Sequence, residues 1–207
     1  MNMKTGAGST LTTQQPLILA SQSPRRVELL GRIVSKFEVT PSYATELEDV
    51  SIGARRLCEA NAQRKAFNVA ERYPDHWVLG ADTLVFLDGQ PLAKPVDGAD
   101  AERMLTQLSG RIHEVITGVC LVHQRAAKAS IFSEVTRVKF RVLTPEDIRS
   151  YLSYVNTLDK AGGYAIQERG EEIVEQIEGS YSNVVGLPVE AVWAALENGG
   201  ATRSVPD

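Results

Sequence analysis

The sequence predicts an α/β protein, a mixed twisted sheet with flanking helices. Three observations lead there. Apolar strand-like runs alternate with helix-period segments along most of the 207 residues. Near the start, Leu17-Ile18-Leu19-Ala20 passes through Ser21-Gln22-Ser23-Pro24 into a helical pattern, the opening of a strand-to-helix unit. Farther on, long strand runs near His113 to Val122 and Ile131 to Leu143 are joined by a small-residue loop. Such a pair is an antiparallel hairpin, so the sheet must be mixed.

The elements follow in order. Residues 1–15 are polar and small, without an apolar secretory segment, and read as a disordered tail ahead of a single domain over 16–207. After the first strand, Ser23 suits the N-cap and Pro24 the first helical turn, with Val27, Leu30, Ile33 and Val34 as the apolar stripe. Phe37 to Thr40 is a strand that leads into the acidic loop Thr45-Glu46-Leu47-Glu48-Asp49. A helix runs from about Ser51 to Arg72 and is ended by Pro74. Trp77 to Asp82 is a buried strand arriving at a carboxylate, Thr83 to Leu87 continue it, and Asp88-Gly89 signals a tight turn. A helix over Asp97 to Leu108 is closed by Ser109-Gly110, and the long hairpin comes next. Thr144-Pro145-Glu146-Asp147 caps a helix reaching about Val155. A Gly-rich turn, short extended runs and a helix from Pro188 to Leu196 complete the chain.

Composition excludes several classes. The net charge of −4 and the lack of a Lys/Arg run argue against a nucleic-acid or polybasic membrane surface. No stretch reaches bilayer length, and a cytoplasmic location is expected. Cys58 and Cys120 are too few for a disulfide framework or a zinc site and read as buried thiols. His76, His113 and His123 lack metal-ligand spacing, so a histidine-based catalyst is not expected.

Several residues look wrong for structure alone. Arg25 and Arg26 sit in a first helical turn, where the dipole prefers carboxylates; guanidiniums beside unpaired helix N–H groups make a polyphosphate site, a solvated basic turn being the plainer reading. Asp82 ends an apolar strand and needs a cation, a metal or water. Lys65 shares a helix face with Cys58, Ala62 and Val69, so it points into a cleft or snorkels. Lys94 is held extended by Pro95 in a defined loop. Glu46, Glu48 and Asp49 form a cluster able to hold a hard divalent cation, or a solvated loop. Asp159-Lys160-Ala161-Gly162-Gly163-Tyr164-Ala165-Ile166-Gln167 permits close backbone approach and offers polar contacts. Together these suit a polyphosphate bound with a divalent cation, yet no Gly-rich run ending in Gly-Lys-Ser/Thr exists.

Over about Leu17 to Leu196 the sequence resembles the Maf family of nucleoside triphosphate pyrophosphatases. The motifs are Ala20-Ser21-Gln22-Ser23-Pro24-Arg25-Arg26, Gly80-Ala81-Asp82-Thr83, Lys94-Pro95, Leu108-Ser109-Gly110, Asp159-Lys160-Ala161-Gly162-Gly163-Tyr164 and Gly186-Leu187-Pro188. The resemblance implies two lobes around a cleft, a fold like that of inosine triphosphate pyrophosphatase, often a homodimer. It implies hydrolysis between the α and β phosphates to a monophosphate and pyrophosphate, with Mg²⁺, Mn²⁺ or Co²⁺ as cofactor. It makes Asp82 the proton acceptor, Lys65 and Lys94 the cleft lysines, Ser21, Arg25 and Arg26 the phosphate loop, and Glu46 with Asp82 the metal ligands, Glu48 remaining open for the loop position. The combination of Arg25, Thr83 and Gln167 matches the subgroup acting on dTTP and UTP. The charged step from Glu168 to Glu172 departs from the Gly-rich continuation of that pattern. The alternatives are another nucleotide, such as 7-methyl-GTP or CTP, or a nucleotide-binding regulator of septum formation.

Overall fold

The computed structural model describes residues 10–13, 15–199 and 202–204. Its first half holds Thr10–Thr12 (β1), Leu17–Leu19 (β2), Pro24–Gly31 (α1), Glu38–Val39 (β3), Ala54–Ala70 (α2), Trp77–Leu87 (β4), Gln90–Leu92 (β5) and Gly98–Leu108 (α3). The second half holds Ile112–His123 (β6), Lys128–Phe140 (β7), Pro145–Tyr154 (α4), Gly170–Ile173 (α5), Val174–Glu178 (β8), Tyr181–Val185 (α6), Val189–Gly199 (α7) and Thr202–Ser204 (β9).

The main sheet runs in the order β3-β2-β4-β6-β7-β8, with β5 also paired to β4. β2 lies parallel to β3 and β4, whereas β4, β6, β7 and β8 are antiparallel neighbours, so the mixed sheet is borne out. The Asp88-Gly89 turn takes positive φ at both residues, 52° and 76°, as a two-residue hairpin between Leu87 and Gln90 requires. The Thr144 cap is a full capping box with Asp147.

One detail of the pairing makes the cleft. β6 covers a single edge of β4 from Trp77 to Phe86. On the other edge β2 covers Trp77 to Leu79 and β5 covers Val85 to Leu87. Between them, Gly80 to Leu84 has no strand neighbour on that edge among the described residues. The apolar core splits at the same place. One cluster gathers Leu17, Leu19, Leu29, Leu30 and Leu79 with Val192 and Leu196 of α7. Another gathers Val85, Leu105, Leu108, Phe140, Ile148 and Tyr151 around α3 and α4.

The expectation of a disordered tail over 1–15 is corrected at its end. Thr10–Thr12 pairs antiparallel with Thr202–Ser204, and Leu11 is fully buried in the first cluster, with its N–H donating to Ile33 O at 2.8 Å. A lone leucine between threonines carries no periodicity, so nothing local announces that strand. Residues 1–9 and 14 lie outside the described structure. Among the described residues no helix is long and apolar enough to cross a membrane.

Candidate active site

α2 is seated on the sheet by glycine. A Cβ at Gly80 would overlap the Ala62 carbonyl, and one at Gly118 would overlap the Cys58 backbone. Gly118 is the cross-strand partner of Asp82. Side chains alternate along a strand, so Asp82 faces α2 as Gly80 does. The helix therefore lies against the strand beside this carboxylate, and Asn61 and Lys65 reach it. Lys65 Nζ donates to Asp82 Oδ1 at 2.6 Å and Asn61 Nδ2 to Asp82 Oδ2 at 3.2 Å. Asp82 is 4% exposed, so its charge is carried by these contacts and by the cleft. Lys65 Nζ also lies 2.6 Å from Glu46 Oε1. The lysine thus bridges two carboxylates and does not snorkel into solvent.

On the opposite face of β4, α1 supplies the arginine turn. Ser23 is the N-cap by position but its side chain accepts no capping bond. Ser21 Oγ accepts instead from Ser23 N–H at 3.2 Å and from Arg26 Nη1 at 3.4 Å. Arg26 Nε donates to Gly186 O at 2.9 Å and Nη2 to Thr83 Oγ1 at 3.0 Å. Burial pulls the Arg26 guanidinium below its ordinary pKa, and the charge of Asp82 opposes that. Thr83 is further tied to Thr117 Oγ1 at 2.9 Å and to Gly186 O at 3.4 Å. Its hydroxyl is thus engaged by the protein on several sides. Arg25 turns the other way and pairs with Asp159 Oδ2 at 3.0 Å, while Lys160 takes Asp159 Oδ1 at 2.8 Å.

The remaining expected residues stand on loops. Lys94 and Gln167 are exposed and face the same cleft, as does Glu48. The cleft encloses about 950 Å³ and is lined by Ser21, Arg25, Arg26, Glu46, Lys65, Asp82, Thr83, Lys94 and Gln167, so the fold brings all of these residues together. Glu46 rather than Glu48 reaches Lys65, which distinguishes the two acidic-loop candidates in this structure. The Glu168–Glu172 step forms ion pairs, Glu168 toward the buried Lys160 and Glu172 with Arg169, and neither glutamate lines the cleft.

Sequence reasoning missed Asn61, Thr117 and Asn183. Asn61 is 1% exposed and clamps the acidic loop, accepting from Leu47 N–H at 2.7 Å and donating to Leu47 O at 3.1 Å. The available signal was its place one turn before Lys65 on a helix face otherwise made of Cys58 and Ala62. Thr117 donates to Asn183 O at 3.2 Å in a fully buried pair that no periodicity announces. The histidines stay out of the cleft. His113 is buried against Tyr164 Oη at 2.8 Å, and burial lowers its pKa to about 4. Cys58 and Cys120 are free and buried, each thiol raised to about 12 by desolvation.

A cation would find two carboxylates here. Asp82 and Glu46 converge on a single point, now filled by the Lys65 ammonium. Among the described residues no group of three or more His, Cys, Asp or Glu gathers as a closed metal cage. That donor set fits a hard divalent ion that keeps several waters and takes its other oxygens from phosphates, as Mg²⁺ does.

The chain is similar to known proteins over most of its length. The family model described as Maf-like protein matches residues 16–199. A dTTP/UTP pyrophosphatase of Akkermansia muciniphila is 46% identical over 185 residues, covering 89% of this chain and 97% of that one. One from Gloeobacter violaceus is 48% identical over 171 residues, 83% of this chain and 89% of that one. A third, from Syntrophomonas wolfei, is 44% identical, with coverage of 88% and 96%. A solved HAM1 protein structure from Coxiella burnetii overlaps 89% of this chain at 14% identity and a TM-score of 0.49.

Proposed function

This chain belongs to the Maf family, and from that premise we propose that it is a nucleoside triphosphate pyrophosphatase acting on dTTP and UTP. The observation that carries the chemistry is Asp82, buried at the open edge of β4 and held by Lys65 at 2.6 Å and Asn61 at 3.2 Å. A carboxylate fixed so firmly, with one side facing a cation-lined cleft, can hold a water and take its proton. That water attacks the α-phosphorus, the bond from the α-phosphorus to the bridging oxygen breaks, and pyrophosphate leaves with the electron pair.

Arg26 and Ser21 lie beside the first turn of α1, which lines the cleft and whose unpaired N–H groups would suit the phosphates. Lys65 and Lys94 add charge where the leaving group becomes more negative. Asp82 and Glu46 are the residues that would hold a divalent cation. When bound, that ion neutralises phosphate oxygens and favours the ionised nucleophile. A cation held there would compete with the Lys65 ammonium, which stands 2.6 Å from both carboxylates.

The base preference rests on the relatives' names and on Gln167. Its exposed amide both donates and accepts, as the carbonyl and N–H edge of uracil or thymine requires. Thr83 belongs to the same subgroup pattern, but its hydroxyl is taken up by Arg26 and Thr117, so its part is to support the arginine. The test is a panel of dTTP, UTP, CTP and 7-methyl-GTP with Mg²⁺, Mn²⁺ or Co²⁺, followed by product identification. Monophosphate and pyrophosphate, with the highest kcat/KM for dTTP and UTP, are expected. Orthophosphate as the sole released product would overturn the reaction, and a lead for CTP or 7-methyl-GTP would overturn the base preference alone.

A further inference from the structure

Besides Lys65, α2 carries polar residues at Asn61, Arg64 and Asn68, and Arg72 follows just past its end; the spacing of three or four residues sets them along one side. Each of these side chains bonds to residues 41–47, the segment that runs into the acidic loop, mostly to its backbone. Arg72 Nη2 donates to Pro41 O at 3.4 Å. Asn68 Oδ1 accepts from Tyr43 N–H at 3.1 Å and from Ser42 Oγ at 3.2 Å. Arg64 Nε donates to Thr45 O at 2.8 Å. Asn61 takes both the N–H and the carbonyl of Leu47.

The order is antiparallel: as the chain advances from Asn61 to Arg72, the partners retreat from Leu47 to Pro41. Each helix step meets a loop step of two residues. One helical turn rises about 5.4 Å, and two residues of extended chain span roughly 6–7 Å. The periods match closely enough for the loop to run along the helix with one anchor per turn. No strand is assigned from Thr40 to Asp49, so the helix side chains take the place of a neighbouring strand.

Glu46 lies between two of these anchors. Thr45 is held by Arg64 and Leu47 by Asn61, so the backbone on both sides of Glu46 is fixed. The Glu46 side chain meets Lys65, from the same helix, although it is 53% exposed. Exposure alone would leave such a carboxylate free to wander.

We infer that Arg64 and Asn68 are positioning residues, which strap the acidic loop to α2 and hold Glu46 ready at the cleft. The inference rests on the reading that Glu46 contacts the cation. The strap places the loop before ligand arrives, so binding does not bear the cost of ordering it. Neither residue lines the cleft, and neither touches Asp82.

The test uses Asn68→Leu, which removes the acceptor at similar size, and Asn68→Asp, which keeps it. Arg64→Met removes the other anchor at an exposed position, in case the leucine variant does not fold. One readout is cleavage by a glutamate-specific protease after Glu46 or Glu48, located by mass spectrometry. The other is the cation concentration that half-saturates pyrophosphate release. Asn68→Leu and Arg64→Met are expected to speed cleavage and to raise the half-saturating cation about tenfold or more, the usual cost of losing a partner that orients a ligand. Their kcat at saturating cation should stay within about twofold of wild type, and Asn68→Asp should behave as wild type in both assays. A cation-dependent wild type whose Asn68→Leu and Arg64→Met variants show unchanged cleavage and half-saturation overturns the strap alone. Asn68→Asp as impaired as Asn68→Leu overturns it too, since the acceptor would then be irrelevant. Pyrophosphate release by wild type without any cation overturns the metal reading and the strap's purpose together.

Discussion

The two walls of the cleft are built on different terms. The α2 wall is closed on itself: Lys65 and Asn61 of a helix seated against β4 and β6 bond Asp82 of β4, and Lys65 also bonds Glu46 of the acidic loop. The opposite wall presents Lys94 and Gln167 from loops, exposed and without a hydrogen bond to another described residue. A proton acceptor must be aimed before substrate arrives, so it sits on regular elements whose packing fixes it. Groups that meet different parts of a nucleotide gain from loops that rest on a scaffold without being locked. Even the open wall is hung from the core. Tyr151 Oη donates to Ala165 O at 3.0 Å, and Tyr164 meets buried His113, both just before Gln167 in the chain.

Breaking the closed wall should have the largest effect. Asp82→Asn keeps the shape but removes charge and basicity, and should lower kcat by about 10²–10⁴-fold, measured by pyrophosphate release on a folded variant. Near wild-type turnover would remove Asp82 from its role.

Acid should act on the open wall's support. The buried, neutral form of His113 titrates near 4 in the folded state, against 6.5 for the free side chain. The unfolded chain therefore takes up the proton first as pH falls. Stability is full above about 6.5 and is lost on descending toward about 4, by at most about 3 kcal/mol for this group. His113→Phe should flatten that part of the stability curve in urea titrations across the pH range. An unchanged slope would assign the acid sensitivity to other groups.

The seat of the closed wall can be tested through Gly118. Gly118→Ala puts a methyl group into the Cys58 backbone, so α2 must lift. Overpacking of this kind costs about 1–3 kcal/mol and occasionally more. The loss should appear in chemical denaturation, with activity falling as well because Lys65 moves away from Asp82. A variant as stable and as active as wild type would mean that the close approach is unnecessary.

The smallest effect is expected at the rim. Gln167→Ala should cut the preference for UTP over CTP by about tenfold, the worth of roughly one hydrogen bond, while leaving kcat for UTP nearly unchanged. An unaltered ratio of kcat/KM values would take base reading away from Gln167.

Much of the closed wall was legible in advance. A carboxylate ending Trp77-Val78-Leu79-Gly80-Ala81 is anomalous wherever it is met, and Lys65 on an apolar helix face is anomalous in the same way. Burial makes charge conspicuous. Asn61 left a fainter signal, its place one turn before Lys65, because an uncharged amide on a helix does not announce its partners. Leu11 was not legible because its strand partner lies at the other end of the chain, across Thr202–Ser204. The choice between Glu46 and Glu48 could not be read either, since spacing in a loop does not say which side chain turns inward.

The sequence by itself determined the alternation of elements, the Asp88-Gly89 hairpin, the Thr144 capping box and the inventory of cations and carboxylates. Those features are local: turn conformations, caps and hydrophobic periods are set by neighbours a few residues apart. The tertiary structure alone decided the gap between β2 and β5 on β4, the seating of α2 over Gly80 and Gly118, and the pairing of Lys65 with both Asp82 and Glu46. Each of these depends on contacts between residues that are distant in sequence and adjacent in space. The chemistry of a side chain is written at its own position, but its pairing waits on where the rest of the chain arrives.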